Sequence, residues 1–432
     1  MRLALQARDA FLRRLQISNE DLLPDLLGHA VRHIPHYQRD SARLLALGDF
    51  PVIDRETMQT QRAQFLADTL AEEWHGKPPF SILTNATLGP SLEVAFDLAG
   101  FYDFAYVGLA RCLAEIPGLI ESLEPGETTV FSIAGSDYAE RFTMFVPSLG
   151  GTLLEQVLVR RSASEDADTV ARLRGADRPV LYGKPHELLR LAELDARDGL
   201  AALDPQDGPG ATRIRPRAIL LSGDPLYDAY RTRLAAHFAC PILNSYIASE
   251  AGVIAIECPE RRTMHVQTDR VLLEVLRDDG RLAPDGVGEL VVTNLFNWGQ
   301  VFIRYRIGDR GTVIDDDCPC GFTGPSITSF EGRDSQAFVG QGQRISIEQL
   351  GPILERPGIA HFGLLQYDEA PVLVRWVLAP GGDRAAVEAE LRDALQPLFG
   401  DGFRLEHAEH ITTGGGKMRR WVHISTASSG RA

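Results

Sequence analysis

No apolar run in this 432-residue sequence reaches the roughly 18 residues that would span a bilayer. A transmembrane helix is therefore not expected. The opening stretch MRLALQARDAFLRRLQ is broken by charge throughout and lacks the apolar centre of a secretory leader. The expectation is a cytoplasmic chain without a membrane partner. Cysteine is scarce, with only Cys112, Cys240, Cys258, Cys318 and Cys320. An odd number spread along so long a chain argues against a disulfide framework and for packing or metal-binding roles. Positive charge is also short: 44 Lys and Arg stand against 59 Asp and Glu, a formal net charge of −15. Such a balance opposes non-specific binding to nucleic acid or an anionic surface, because the phosphate-neutralising term has the wrong sign. Internal repeats and long low-complexity linkers are missing as well.

What is present is ordinary for a globular chain: 44% apolar and 24% charged residues. The length exceeds what one core usually serves, so two or three domains are expected. Residues 1–75 read as helices; NEDLLPDLLGHAVRHI has an acidic first turn and helical apolar spacing. TVFSIAG (129–135), PVLYG (179–183) and PRAILLSGDPL (216–226) read as short buried strands. Between and after them ASEDADTVARLRG and YDAYRTRLAAHF read as helices, and this alternation predicts a layered α/β domain. From about 265 the stretch RVLLEVLRDDGRLAPDGVGELVVTNL predicts strands split by a DDG turn and a PDGVGE loop, a β-rich subdomain. After EGRD (331–334) the helices EQLGPILE and RAAVEAELRDALQPLF and the strands PVLVRWVLA and RLEHAEHIT predict a compact α+β module. The expected fold class is α/β: a large amino-terminal domain over 1–331 with layered sheets and the β-rich subdomain, then a small mobile α+β domain over 332–432.

Several stretches carry groups suited to chemistry. In VFIRYRIGDRG (301–311) the period-2 alternation predicts a strand running into Gly308-Asp309. A carboxylate at a strand end accepts two hydrogen bonds from a ribose diol, or is simply a turn aspartate. In NSYIASEAG (244–252) Tyr246 is followed four residues on by Glu250, an aromatic that can stack a base and an acid that can hold magnesium. SGDPL (222–226) is a tight turn after a strand, able to bring backbone amides near a planar ring or to act as an ordinary β-turn. HITTGGGKMRRWVHIS (410–425) sets three glycines before Lys417, where glycine weakens regular structure. That stretch is either a hairpin turn with a solvated lysine or a loop that lets a cation move.

Cys258 and His265 lie seven residues apart, and Cys318-Pro-Cys320 comes later with Gly321 to turn the chain. Three thiolates and an imidazole make a closed tetrahedral zinc set, which would staple the β-rich subdomain around 258–320. The alternative is buried free cysteines and a surface histidine. Cys112 and Cys240 stand in apolar surroundings and read as packing residues.

Taken together, SGDPLYDAYRTRLAAHF, NSYIASEAGVIAIECPERRTMHV, PDGVGELVVTNL, IRYRIGDRG, CPCG, EGRD and GGGKMRRWV occur in the order and spacing of phenylacetate–CoA ligases and their relatives. With HAVRHIPHYQRD near the start, nearly the whole chain resembles that branch of the adenylate-forming superfamily of acyl-CoA synthetases, adenylation domains and luciferases. The resemblance implies that Tyr246 stacks on adenine, with Ser249 beside it, and that Glu250 helps hold Mg2+ at the phosphates. Ser222, Gly223, Asp224 and Pro225 would line the adenine pocket, Asp309 would bind the ribose hydroxyls, and Arg333 would sit at a hinge. Lys417 would bridge carboxylate and α-phosphate, then withdraw. A similar Cys…His…Cys-x-Cys pattern occurs among these relatives.

The departures are specific. The family's phosphate loop, roughly Ser-Gly-Thr-Thr-Gly-Lys-Pro, corresponds to TNATLGPSLEV (84–94). Thr84, Thr87 and Gly89 are kept, Ala86 and Leu88 replace small polar or glycine positions, and the lysine is gone. Ile247 replaces the glycine after the stacking tyrosine, and Asp334-Ser335-Gln336 replaces the acidic hinge pair. Tyr138, Phe142 and Gly183 fall where the family lines its acyl pocket, and an aromatic lining would suit an aryl or arylalkanoic acid; aromatics there also serve as core. Lys184 would pair with a substrate anion or be solvated. The resemblance therefore implies ATP-dependent activation of a small carboxylic acid and transfer to coenzyme A. Transfer to an amine or carrier-protein thiol, or a non-catalytic ligand-binding relative, are the alternatives. A homodimer is left open.

Overall fold

A computed structural model of the chain describes residues 2–15, 19–77, 79–84, 91–122, 128–135, 142–146, 152–159, 163–201, 213–260, 263–333, 338–356, 358–368, 370–379, 381–409 and 421–424. Among them, one sheet of thirteen strands dominates. Its first half is parallel, with Thr152–Val159, Thr128–Gly135, Val180–Gly183, Ala218–Ser222 and Ile242–Ala248 side by side. Phe142–Val146 adds an antiparallel edge. A parallel pair needs a crossover, and the helices Ala163–Gly175, Pro185–Ala201 and Asp228–Phe238 supply them. Successive side chains of these strands point to opposite faces. Ala218 and Leu220 accordingly join one core while Ile219 and Leu221 join another. Both faces are covered, which is why this strand is buried at every position.

The predicted β-rich stretch continues the same sheet as its antiparallel half. In order it comprises Gly252–Glu257, Met264–Val266, Ser326–Arg333, Tyr305–Ile314, Gly286–Asn294, Val271–Leu276 and Leu282–Ala283. Two expectations are corrected here. PDGVGE is not all loop, because the strand begins at Gly286 and pairs Gly286 with Val313. A side chain at Gly288 would stand 2.3 Å from the Leu276 carbonyl oxygen, so the residue that hides the strand in the sequence is the one that lets it pack. VFIRYRIGDRG is not one strand ending at Asp309. Val301, Phe302 and Ile303 are all buried, and Ile53 N–H donates to the Arg304 carbonyl at 2.9 Å, so this run threads beneath the amino-terminal segment. The strand starts at Tyr305 and passes through Asp309 to Ile314.

The amino-terminal helix Asn19–His33 meets the Trp298 carbonyl oxygen through His29 Nε2 at 3.0 Å, and Arg2–Leu15 is fastened through Asp97. That carboxylate pairs with Arg14 at 2.9 Å, accepts from Gly100 N–H at 2.6 Å and so caps the helix Leu98–Tyr102. The Arg14 guanidinium also lies 4.2 Å from the Trp298 ring centre. Beside Asp97, burial and then the Asp97 charge push the Glu73 carboxyl up to about 7. The folded chain thus holds a proton that the unfolded chain releases near 4.5, so stability falls as pH rises from about 4.5 through about 7. Leu98 N–H donates to Glu73 Oε1 at 3.2 Å, a bond that glutamine can also accept. Glu73→Gln is expected to leave stability unchanged at pH 4.5 and to add on the order of 1–2 kcal/mol at pH 8, measured by urea unfolding at both pH values.

Towards the carboxyl end a four-stranded sheet runs Phe403–His407, Val372–Leu378, Ile359–Tyr367 and Trp421–Ile424. The helices Ile347–Leu354 and Arg384–Phe399 accompany a separate core that includes the fully buried Trp376. Ser346 caps the first helix, accepting from Gln349 N–H, while the Gln349 side chain accepts from Ser346 N–H. Asp383 caps the second. The Tyr230 hydroxyl donates to Glu355, joining this portion to the large sheet's helices. Among the described residues, no helix is long and apolar enough to cross a membrane.

Candidate active site

Open α/β sheets take ligands outside the carboxyl ends of their strands, where the chain direction changes. Here Val180–Gly183, Ala218–Ser222 and Ile242–Ala248 end together, with Gly183 in register with Leu221 and Ser222 with Ser245. The next strand, Gly252–Glu257, runs antiparallel to its neighbour. Tyr246, Ser249 and Glu250 lie at this reversal.

At one side the Tyr246 hydroxyl donates to Asp309 Oδ2 at 2.6 Å, and its ring meets Phe330 edge-on with centres 4.9 Å apart. Asp309 comes after Gly308, whose φ of +88° a side chain rarely adopts, and the register shifts just beyond it. The kink aims an acid out of mid-strand, which is how Asp309 reaches Tyr246 without standing at a strand end. Arg333 is the register partner of Asp309. Ser249 is half-buried beside Glu250.

On the other side is a cluster that the sequence only half disclosed. Glu250 is 5% exposed; the Tyr305 hydroxyl donates to its Oε1 at 3.4 Å and Arg55 Nη1 lies at 3.5 Å. Burial and then the Glu250 charge push the Tyr305 hydroxyl well above the usual phenol range, so it stays a donor. Arg55 Nη2 donates to Thr84 Oγ1 at 2.8 Å, and the same oxygen accepts from Leu92 N–H at 2.9 Å. Arg55 and Tyr305 were not among the expected site residues. Their partners lie far along the chain, and no local pattern marks them.

After Ala218–Ser222 the chain bends at Gly223 and Asp224. Gly223 has φ +82° and both it and Pro225 are exposed. Asp224 is held by His186 Nδ1 at 2.9 Å and by Lys184 Nζ at 3.8 Å. Ser222 Oγ donates to the hydroxyl of the half-buried Tyr182 at 3.0 Å. At Gly183 a side chain would meet the Ile133 carbonyl oxygen at 2.6 Å, so strand spacing alone demands glycine there. Phe142 belongs to the edge strand, three strands from Gly183, and the fold does not bring their backbones together. Thr87, Gly89, Tyr138 and Lys417 lie outside the described residues.

Cys258, His265, Cys318 and Cys320 do converge, with all four ligand atoms within 4.8 Å of one another. Cys258 Sγ and Cys318 Sγ are 3.7 Å apart, as are Cys320 Sγ and His265 Nε2. Zinc–sulfur bonds of about 2.3 Å at tetrahedral angles put sulfurs about 3.8 Å apart, so the set fits that ion. Burial lowers the His265 pKa, which favours the neutral ring a metal requires, and Phe322 stacks on it at 4.1 Å. Gly321, at φ +94°, turns the Cys318–Cys320 knuckle. By contrast Cys112 and Cys240 are packing residues whose thiols burial pushes up to about 12.

No protein-family model matches the chain, and neither does any curated protein. Solved structures do. A 2-hydroxyisobutyryl-CoA ligase in the postadenylation state, in complex with R3-HIB-AMP, superposes with a TM-score of 0.69 at 17% identity, over 95% of this chain and 89% of that one. This chain has the adenylate-forming ligase fold. The same ligase in its thioesterification state, with 2-HIB-AMP and CoA, gives a TM-score of 0.53 at 20% identity, over 95% and 90%. An anthranilate CoA ligase in complex with anthranoyl-AMP gives 0.53 at 14% identity, over 79% of this chain and 64% of that one. In this ligase fold the Tyr246–Asp309 pair and the cluster around Glu250 flank the end of the parallel strands.

Proposed function

We propose that this chain activates a carboxylic acid with ATP as an acyl-adenylate and passes the acyl group to coenzyme A. The observation that carries this reading is the pairing of Tyr246 with Asp309 on one side of the strand ends and the Thr84–Arg55–Glu250–Tyr305 cluster on the other. One side offers an aromatic face and a diol acceptor, the other an anion-holding set. A nucleoside triphosphate has those two ends.

In this reading the purine lies against Tyr246 and the Ser222–Pro225 turn, with Asp309 taking the ribose hydroxyls. Glu250 would hold a magnesium ion, whose charge would offset that of the phosphates. An oxygen of the acid attacks the α-phosphorus, and the bond to the bridging oxygen breaks to release pyrophosphate. Lys417 places a cation where the two anions meet, offsetting their repulsion. Its glycine-rich approach, on a carboxy-terminal domain beginning near 332, then lets it withdraw before the thiol enters. At equal coverage of this chain, the higher TM-score against a postadenylation state than against a thioesterification state supports an adenylation-side arrangement of the two parts. Cys258, His265, Cys318 and Cys320 would hold one zinc ion in a closed, structural role.

The acid is proposed to be aryl or arylalkanoic, with Tyr138 and Gly183 as the candidate lining; Phe142, on the edge strand three strands from Gly183, drops out of that set. Exchange of labelled pyrophosphate into ATP is expected with at least one member of a panel of aryl, heteroaryl and short hydroxy acids. Mass spectrometry with coenzyme A present is expected to show the thioester. An amide formed from a supplied amine, or a thioester found only on a carrier protein, would move the acceptor. Asp309→Ala is expected to raise the Kd for ATP about 10- to 100-fold by calorimetry, the cost of a charge-assisted contact. An unchanged Kd would remove Asp309 from the nucleotide site.

A further inference from the structure

The phosphate loop lost its lysine, yet a cation stands at its base. Thr84, where that loop begins, accepts from Arg55 Nη2 at 2.8 Å, and Arg55 Nη1 reaches to 3.5 Å from Glu250 Oε1. We propose that Arg55 is the phosphate-facing cation of this site, contacting the β- and γ-phosphates of ATP and the pyrophosphate that leaves. The proposal rests on the adenylating reading above.

Three features support it. First, position: Arg55 links the loop's first residue to the acid assigned to magnesium, so it stands between the two groups that would face the triphosphate. Second, its mounting is rigid. Asp54 caps the helix Arg55–Thr60 by accepting from Thr57 N–H at 2.8 Å, and Ile53 just before it is bonded through its N–H to Arg304. The backbone carrying Arg55 is therefore fixed at both sides, while the side chain stays 31% exposed and able to pivot about its stem. Third, charge: Glu250 and the triphosphate are both anionic, and with Lys417 assigned to the α-phosphate, the far phosphates need another donor. A guanidinium suits that end, since its planar fork meets two phosphate oxygens at once. As the bridging oxygen takes the electron pair from the α-phosphorus, negative charge builds on pyrophosphate, where Arg55 would meet it.

A merely structural Arg55 would brace Thr84 against Glu250 and nothing more, and the test separates the two roles. Arg55→Ala and Arg55→Lys are compared with wild type in acid-dependent exchange of pyrophosphate into ATP, in calorimetry with magnesium pyrophosphate, and in thermal melting. The expected result is a 10- to 100-fold rise in the KM for ATP and pyrophosphate in Arg55→Ala, the KM for the acid unchanged, with partial recovery in Arg55→Lys or on adding guanidinium. Unchanged pyrophosphate affinity, or a uniform loss that tracks a lowered melting temperature without rescue, overturns the proposal. Should wild type fail to exchange with any acid yet bind magnesium pyrophosphate, and Arg55→Ala lose that binding, Arg55 keeps its role and the ligase reading falls. Failure of wild type to bind pyrophosphate at all overturns both.

Discussion

Lys417→Ala is expected to lower acid-dependent exchange of pyrophosphate into ATP by about 10²- to 10³-fold, while the Kd for ATP changes little. The reason is electrostatic. Carboxylate and α-phosphate repel as they approach, and a positive charge between them acts only when both are close. Its loss therefore falls on kcat and spares nucleotide binding. The same variant, given a ready-made acyl-adenylate, is expected to transfer the acyl group to coenzyme A at near wild-type rate, because the lysine has no part once the bond to phosphorus has formed. A variant that exchanges as well as its parent would free Lys417 from this role and return GGGK to a solvated turn.

The second large effect concerns the cysteines. Cys258 lies directly after the strand Gly252–Glu257, His265 sits within Met264–Val266, and Cys318 and Cys320 lie in the turn between Tyr305–Ile314 and Ser326–Arg333. A metal held by all four would tie two hairpins of the antiparallel half together, and one of those strands carries Asp309. Elemental analysis is expected to find one zinc per chain. Replacing Cys318 and Cys320 by serine is expected to abolish zinc binding and to lower the melting temperature by on the order of 10 °C, from a loss of several kcal/mol. ATP affinity is expected to weaken with it, because Asp309 is paired to the strand that the knuckle anchors. A metal-free protein that melts like the variant would leave four thiol and imidazole groups packed without a ligand.

The parallel half of the sheet is legible in the sequence because its signals are local. Runs such as AILL (218–221) are apolar at every position, and glycine or proline stands close to their ends. Each half of the cysteine–histidine set is legible through its short spacing, Cys258 to His265 and Cys318 to Cys320, and the halves are joined by residue type rather than by any local signal. The features that escape the sequence depend on contacts across the fold. Arg55 reads as an ordinary helix-opening residue after an aspartate cap, and only the folded chain sets it against Thr84 and Glu250. Val301–Ile303 mimics a strand by its alternation with the residues after it, yet its burial comes from the segment around Ile53 and Phe65 lying over it. Asp309 stands out in the sequence as an acid at a strand end, whereas a glycine kink in mid-strand does the aiming. Strands Ile359–Tyr367 and Trp421–Ile424, and the hairpin Phe338–Gly340 with Gln343–Ile345, are not legible there. Their pairing partners are distant or their lengths too short for periodicity to register.

The most direct test is a crystal structure with a non-hydrolysable acyl-sulfamoyl adenosine bound. The account predicts the purine against the Tyr246 ring, both ribose hydroxyls on Asp309, and the Lys417 ammonium within hydrogen-bonding reach of the sulfamoyl group. Nucleoside bound away from the ends of the parallel strands, or a Lys417 that stays remote from the acyl junction, would contradict it.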